Sequence, residues 1–417
     1  MRLKVPYEKD FIELEVAERN LRGILDLKDV KAGEFTEVFK EGMETPLNSP
    51  SFEEFLEKGK KHLLIVNDAT RPTPTARVLE HLYPFLKEID FKLIVATGSH
   101  RAPTEEELRF IFGKLYEPLK KENKILVHHA KDDKRMVHLG FSKRGTPVYI
   151  NESVLEADKL ITINSVEPHY FAGYTGGRKS FVPGVSGYTT IEKNHSWAVK
   201  PEAKTLALKG NPVHEDMEEI ASMIDKPVFS IQTVLDGEKN LYKLVCGELK
   251  ESFYRAAEYA NHLYTAEFQK KVDIVISVAP YPMDINLYQA QKAIENGKLA
   301  LKKDGILILV ARCRDGIGPE NFYNLLKSSE SCEKILEYIE KNYVLGYHKA
   351  GKIAEMNLWA QIWAVTDIED EKIKKAKIVP KPSLQEAVDH ALKEKGKEAE
   401  IYYLPNGSMT VPIQKRC

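Results

Sequence analysis

Along much of this chain the apolar residues fall in short continuous runs, with little strict alternation. Residues 62–66, 91–96, 125–128, 147–150, 160–166 and 228–235 each read as a strand buried on both faces. Between several of them the spacing turns helical. Residues 75–89 carry Val78, Leu79, Leu82, Phe85, Leu86 and Ile89 three and four apart, and 104–112 opens a helix behind Pro103. Further helices are expected at 189–193, 213–224 and 252–268. A second series then begins with a strand at 273–278, followed by a helix at 285–302 and a strand at 305–310. It continues with helices near 322–326, 332–340 and 350–359, a strand at 362–365 and a helix at 384–395. Residues 2–40 read as short strands and turns, and Pro405-Asn406-Gly407 marks a hairpin or turn in the tail 401–413.

Buried runs separated by helices predict an α/β fold of two domains, each with a mostly parallel sheet flanked by helices. The boundary is placed near Gln269-Lys270-Lys271, giving a first domain over 1–270 and a second over 271–400. For the tail 401–417, a return to the first domain is one option. The length supports the division, since 417 residues exceed what one hydrophobic core usually serves.

Charge and cysteine content remove several function classes. The formal net charge is -1 and no long run of one sign occurs, so nucleic acid is not an expected partner. The longest apolar run, 306–311, is far short of a membrane span, and the N-terminus lacks a signal-peptide core. A cytoplasmic protein with no membrane partner is expected. Cys246, Cys313, Cys332 and Cys417 are scattered without a CxxC pair, which points to neither a zinc ribbon nor a disulfide framework.

The chemically capable residues collect where strands end, and in open α/β sheets that is where ligands bind. The first strand ends in Asp68-Ala69-Thr70-Arg71-Pro72 and the second in Thr97-Gly98-Ser99-His100-Arg101. The strand at 160–166 runs into Glu167-Pro168-His169, and the first strand of the second domain into Pro280-Tyr281-Pro282. Four such ends predict an active site in a cleft shared by the two domains. The stretch 168–195 is the densest: His169, Gly176-Gly177-Arg178-Lys179, Gly184 and His195. It reads either as a solvated glycine-rich loop or as a backbone cradle for an anion with Arg178 and Lys179 as counter-charges. On the helix at 285–302, Tyr288, Gln289 and Lys292 share one face and suit a carboxylate or carbonyl oxygen, although a solvated face is the plainer reading. No HExxH, GxxxxGK[ST], GxGxxG after a strand, or GxSxG occurs. The residues alone reach a two-domain α/β enzyme with histidine bases and a cationic anion site, and no particular reaction.

Taken in order, five motifs resemble the nickel-pincer-nucleotide-dependent lactate racemase family. They are Asp68-Ala69-Thr70-Arg71-Pro72, Thr97-Gly98-Ser99-His100-Arg101, Glu167-Pro168-His169-Tyr170-Phe171-Ala172-Gly173-Tyr174 with Gly176-Gly177-Arg178-Lys179, Asn194-His195, and Asn286-Leu287-Tyr288-Gln289-Ala290-Gln291-Lys292 after Pro280-Tyr281-Pro282. The resemblance implies a racemase of 2-hydroxy acids, lactate or a relative such as malate. Its cofactor would be a pyridinium mononucleotide holding nickel through two sulfur arms and a ring carbon. In that family's pattern Lys179 carries the cofactor through a thioamide link, His195 is a nickel ligand, and Gly176, Gly177, Arg178 and Gly184 cradle the nucleotide. His100 and His169 are the paired acid/base residues. Arg71 and Lys292 hold the substrate, with Asp68, Gln289 and Tyr288 beside them. Partners would be the small-molecule substrate and the enzymes that synthesise the cofactor. Malate would need a further cation, for which Arg101, Arg312 and Arg314 are candidates, while Trp359 and Trp363 would shape the pocket. Two alternatives are a cofactor-free isomerase or lyase that uses His100 and His169 for α-proton abstraction, and a non-catalytic nucleotide-binding protein.

Overall fold

The apolar runs of the first half assemble into one six-stranded sheet in the order Leu241–Gly247, Val228–Leu235, Lys159–Ser165, Lys61–Asn67, Asp90–Ala96, Ile125–Val127. Every neighbouring pair is parallel except the first, where the edge strand Leu241–Gly247 runs antiparallel. Residues 63–66 of the central strand are buried on both faces, as a continuous apolar run requires. Leu64 and Val66 join Val78, Leu79 and Phe91 on one side, whereas Leu63 and Ile65 join Phe171, Phe181 and Val182 on the other. The chain moves from Lys61–Asn67 to one edge, then returns to place Lys159–Ser165 on the other flank. The order therefore reverses between these two strands, and their outgoing loops diverge there to leave a crevice.

The computed structural model describes residues 1–415; Arg416 and Cys417 lie outside the described residues. The chain divides into two units, Asp29–Leu263 and a second made of Met1–Lys28 with the chain from Tyr264 onward. The second unit has its own six-stranded sheet, in the order Val379–Pro380, Gln361–Val365, Leu301–Val310, Val272–Val278, Ile401–Leu404, Leu21–Ile24. All its neighbouring pairs are parallel. Both sheets are flanked by helices, which is the α/β architecture expected.

The division differs from a cut at residue 270. Residues 1–28 belong with the C-terminal half, because Leu21–Ile24 pairs with Ile401–Leu404 and the hairpin Arg2–Tyr7/Asp10–Glu15 buries Leu3, Val5 and Leu14 against Ile274, Ile276 and Ile306. The tail also stays in that unit. Ile401–Leu404 is buried throughout and pairs with Val272–Val278, while Val411–Gln414 pairs with Thr265–Phe268. Pro405-Asn406-Gly407 accordingly sits in a turn between strands of two different sheets, not in a hairpin.

Smaller differences have local causes. The helix expected at 252–268 is Leu249–Tyr264, since Thr265–Phe268 is taken up by pairing with the tail. The helix expected at 285–302 is Leu287–Gly297, capped by Asn286 and followed by a short 3-10 turn before the strand that starts at Leu301. Pro147–Asn151 lies outside the main sheet as an antiparallel partner of Met136–Phe141. Only alternate positions at its start are buried, so one face is covered and a ribbon suffices. The helix Phe35–Glu44 was not expected; it buries Phe35, Val38 and Phe39 at helical spacing.

Candidate active site

The loops leaving Lys61–Asn67, Asp90–Ala96 and Lys159–Ser165 surround a small open pocket, about 430 Å³ including open solvent, with Asp68, Arg71, His100, Gly176, Lys179 and Gly184 among its lining. Asp68 organises one wall. Its Oδ1 accepts from the Thr70 hydroxyl at 2.6 Å and the Thr70 amide at 3.2 Å, closing an Asx-type turn. Its Oδ2 lies 2.7 Å from Nδ1 of His100. Burial alone would raise the Asp68 pKa, but the hydrogen bonds and charge of His100, with Thr70 and Arg71, bring it below the ordinary value. An ionised carboxylate only accepts, so the His100 Nδ1 carries the proton and donates it. Arg71 is steadied from the opposite flank, 3.6 Å from the Glu167 carboxylate. Thr73 joins the two diverging strands: its hydroxyl donates to Asn67 at 2.7 Å and lies 3.0 Å from the Ser165 hydroxyl, from which it can accept.

The glycine-rich stretch supplies the other wall. Pro168–His169 pairs with Gly173–Tyr174, which turns residues 170–172 back on themselves. The Ala172 amide donates to Nδ1 of His169 at 3.3 Å. The buried Phe171 ring is the hub: its centre lies 4.5 Å from that of His169, 5.1 Å from that of His195, and 5.7 Å from the Lys179 ammonium. His195 is buried on the helix Tyr188–Ser196. Burial first, then the charges of Lys179 and His100, pull its pKa down to about 3, so its imidazole is neutral near pH 7. His100, His169, Lys179 and His195 thus share one neighbourhood within the unit Asp29–Leu263.

The turn Gly177–Ser180 that carries Lys179 rests on polar side chains rising from inside the sheet. Gln232 accepts the Gly177 amide at 3.1 Å, and Asn164 accepts the Ser180 hydroxyl at 2.7 Å. Gly176 has φ +82, and a Cβ there would lie 2.5 Å from Val166. At Gly184 a Cβ would lie 2.1 Å from the Ser180 carbonyl oxygen, so the chain's own close crossing already requires glycine. Gly176 and Gly184 line the pocket; Gly177 does not, because it packs on Phe253 with its amide taken. Arg178 departs furthest from the expected phosphate counter-charge. It is 2% exposed, turned away from the pocket, and donates to the carbonyls of Ala172 and Gly176. Its hydrogen bonds tie the loop to itself.

Tyr288, Gln289 and Lys292 lie in the other unit, on Leu287–Gly297. Tyr288 packs edge-on against Phe322 with centroids 5.3 Å apart, so its partly buried ring rests against that unit's core. Lys349, which gave no sequence signal, is buried with its ammonium 3.8 Å from the centre of the Tyr288 ring and bonded to the Tyr288 carbonyl. Burial, and then the Lys292 charge, hold its pKa well below the ordinary value. The arginines considered for a second carboxylate are all engaged with acidic groups. Arg101 makes two bonds to Glu107 at 2.7 and 2.8 Å, Arg312 meets Glu8 and Asp367, and Arg314 lies 3.4 Å from Asp284. Trp363 is a buried core residue and Trp359 packs on the core.

In the sequence, Glu167 and Phe171 stand within the quoted motifs without being given a role, and Asn164 and Gln232 are not singled out. The two amides left a trace there, since each stands within a strand read as buried on both faces. Among the described residues no group of three or more His, Cys, Asp or Glu side chains is placed to hold a metal ion, and no helix is long and apolar enough to cross a membrane.

Comparison with known proteins identifies the family. Residues 7–206 match the lactate racemase N-terminal domain and residues 268–411 the lactate racemase C-terminal domain. The lactate racemase of Lactiplantibacillus plantarum is 31% identical over 97% of this chain and 98% of its own length. That of Thermoanaerobacterium thermosaccharolyticum is 29% identical over 99% of both. The apoprotein structure from the latter organism superposes with a TM-score of 0.93 at 28% identity, covering 99% of this chain and 100% of that one. A protein from Thermotoga maritima shares the fold at 18% identity and a TM-score of 0.70. With both domains matched in order and relatives aligned along nearly the whole length, this chain belongs to the lactate racemase family, a family of isomerases.

Proposed function

We propose that this protein racemises lactate, with His100 and His169 as the proton-transferring pair and Lys179 as the covalent anchor of a nickel-pincer nucleotide. The observation that carries the reading is the grouping of His169, Lys179 and His195 around one Phe171 ring, with the Asp68–His100 pair on the adjoining wall. The residues present fit such a group. Lys179 offers an amine to the pocket, and the neutral His195 imidazole stands on the same ring as a nitrogen ligand of the type square-planar nickel accepts. Gly176 and Gly184 would lie beside the nucleotide. When bound, the group supplies the hydride-accepting centre.

The protein's share of the chemistry is proton transfer and charge placement. Asp68 fixes the His100 tautomer, leaving Nε2 as the base for a substrate hydroxyl. His169 is poised the opposite way: its Nδ1 accepts the Ala172 amide, so in the neutral ring Nε2 carries the proton. His100 can take the hydroxyl proton at Nε2, while the neutral His169 ring donates a hydrogen bond from Nε2–H and hands over a proton only once it has become an imidazolium. Interconversion of two mirror-image hydroxy acids needs each ring in both states in turn. Arg71, steadied by Glu167, is the carboxylate anchor. Lys292 and Gln289 are assigned to the substrate by the family pattern alone. Lactate is preferred over malate because Arg101, Arg312 and Arg314 are committed to carboxylates of the protein.

The test is protein made together with the cofactor-synthesis enzymes, incubated with L-lactate deuterated at the α-carbon. D-lactate that keeps its deuterium, with an intact-mass adduct on Lys179 and one nickel per chain, is the expected result. Loss of the label to solvent would instead favour direct α-proton abstraction by the two histidines. An unmodified Lys179 would end the covalent part of the reading.

A further inference from the structure

Arg178 is a charged side chain buried beside the site and left without a task in the mechanism above. The guanidinium stacks on the Phe253 ring with its carbon 4.3 Å from the ring centre, and its Nε is buried without a hydrogen-bond partner. Among the described residues no carboxylate approaches within salt-bridge distance. Glu218 acts on it only at longer range, and burial draws its pKa down to about 9, so it remains a cation near pH 7. A buried charge without a counter-ion is costly, and an aliphatic side chain of similar volume would pack there without that cost.

What the arginine does, and an aliphatic side chain cannot, is bind two carbonyls at once. Nη2 donates to Ala172 at 2.6 Å and Nη1 to Gly176 at 3.2 Å. Each of those residues holds one of the reacting groups. The Ala172 amide is the donor to the His169 ring, at 3.3 Å, and the Gly176 carbonyl also accepts the backbone amide of Lys179, at 3.1 Å. We propose that Arg178 is a positioning residue which sets the spacing between His169 and Lys179 by clamping the carbonyls of Ala172 and Gly176. This rests on the roles given to His169 and Lys179 under the proposed function. Arg178 does not touch the pocket that Lys179 lines. It borders a separate cavity with Glu218, Leu249 and Phe253, of roughly 1440 Å³ including open solvent. That cavity gives a small cation a path to the vacated position in a truncated variant.

The experiment compares the cofactor-loaded wild type with Arg178→Gly and Arg178→Lys, all made with the cofactor-synthesis enzymes. For Arg178→Gly we expect kcat to fall about 100-fold with KM nearly unchanged, since a misplacement of about 1 Å costs that much while Arg71 still holds the substrate. Amide exchange across residues 168–180 should quicken, and the fraction of chains with an adduct on Lys179 should drop. Added guanidinium ion should recover at least about tenfold of the lost kcat, well below its denaturing range, because it restores the planar pair of donors. Arg178→Lys, with one compact ammonium, should fall between the two, and it carries the test alone if the glycine variant does not fold. Wild-type kcat and adduct level in Arg178→Gly would overturn the proposal. So would a loss that guanidinium does not reverse, or one that tracks a fall in Tm across both variants, since either marks a merely structural role. Failure of the wild type to take up the adduct or to racemise would sink the functional reading. A working wild type beside an unchanged variant would sink only the clamp.

Discussion

The two six-stranded sheets are alike in architecture and opposite in what their interiors contain. In the unit Asp29–Leu263, the adjacent strands Lys159–Ser165 and Val228–Leu235 bury Thr162, Asn164, Ser165, Ser230, Gln232 and Thr233. In the other unit, the central strands Val272–Val278 and Leu301–Val310 bury a near-continuous apolar set, with Ser277 as their buried polar residue. Ser277 serves the fold by donating to the Ala293 carbonyl at 2.7 Å. The polar residues of the first sheet include those supporting the turn that carries Lys179: Asn164 on Ser180, Gln232 on Gly177, and behind Gln232 the pair Ser230–Thr162 at 2.7 Å. Buried amides and hydroxyls inside a sheet are retained where each is satisfied, and here their hydrogen bonds reach the candidate site.

Four changes would break or sharpen this contrast. The largest effect is expected at the histidines proposed to transfer protons: His100→Ala or His169→Ala should lower turnover by ~10²–10⁴-fold with little change in Tm, read by chiral assay of the loaded enzyme. Asp68→Asn should follow with a loss of about 10–100-fold, because the amide can donate to His100 and turn its ring to the wrong tautomer. Next comes a matched pair of sheet variants measured by urea unfolding and by adduct mass. Gln232→Leu strands the Gly177 amide, should cost about 1–3 kcal/mol, and should reduce modification of Lys179. Ser277→Ala should cost only about 1 kcal/mol and leave that modification intact. Equal loss of the adduct in both would remove the contrast.

The smallest effect concerns acid. Burial holds His128 at about 4 and His214 at about 3, both below the ordinary value of 6.5. As pH falls through 6.5 the unfolded chain binds protons on these rings and the folded chain does not, so stability is full above 6.5 and declines toward 4. The limit is about 1.4 kcal/mol per pH unit for each ring. His128 receives a bond from Asn151 on Nδ1 and gives one to the Ser186 carbonyl from Nε2, which leaves no place for a second proton. His128→Gln should flatten the decline by about one ring's share in urea unfolding at pH 7, 6 and 5.

Legibility in the sequence followed the same physics. Runs such as Leu63 to Val66 announce a strand buried on both faces, and helices with a clear apolar stripe or a Thr104 cap were placed closely. The strand Leu21–Ile24 was hidden because only alternate residues there are even partly covered, and nothing local tells that its partner is Ile401–Leu404. At the site, Asp68, His100, His169, Lys179 and His195 stood out as titratable groups at strand ends and in a glycine-rich stretch. Phe171 did not, since an aromatic ring in sequence reads as core and becomes a hub only when three distant groups fold onto it. Arg178 misled for the converse reason, since its charge suggested a ligand and its burial assigns it to the loop.

The pairing of Leu21–Ile24 with Ile401–Leu404 also bears on how the chain is made. Every strand of the unit Asp29–Leu263 is synthesised before Tyr264 and can emerge while the rest of the chain is still being translated, so that sheet can close during synthesis. The other sheet places Leu21–Ile24 next to Ile401–Leu404, strands far apart in sequence with the whole unit Asp29–Leu263 between them, and so widely separated a contact is slow to form. The unit that holds Lys179 is therefore the earlier to mature, and a nascent chain can present this lysine while Ile401–Leu404 is still being translated.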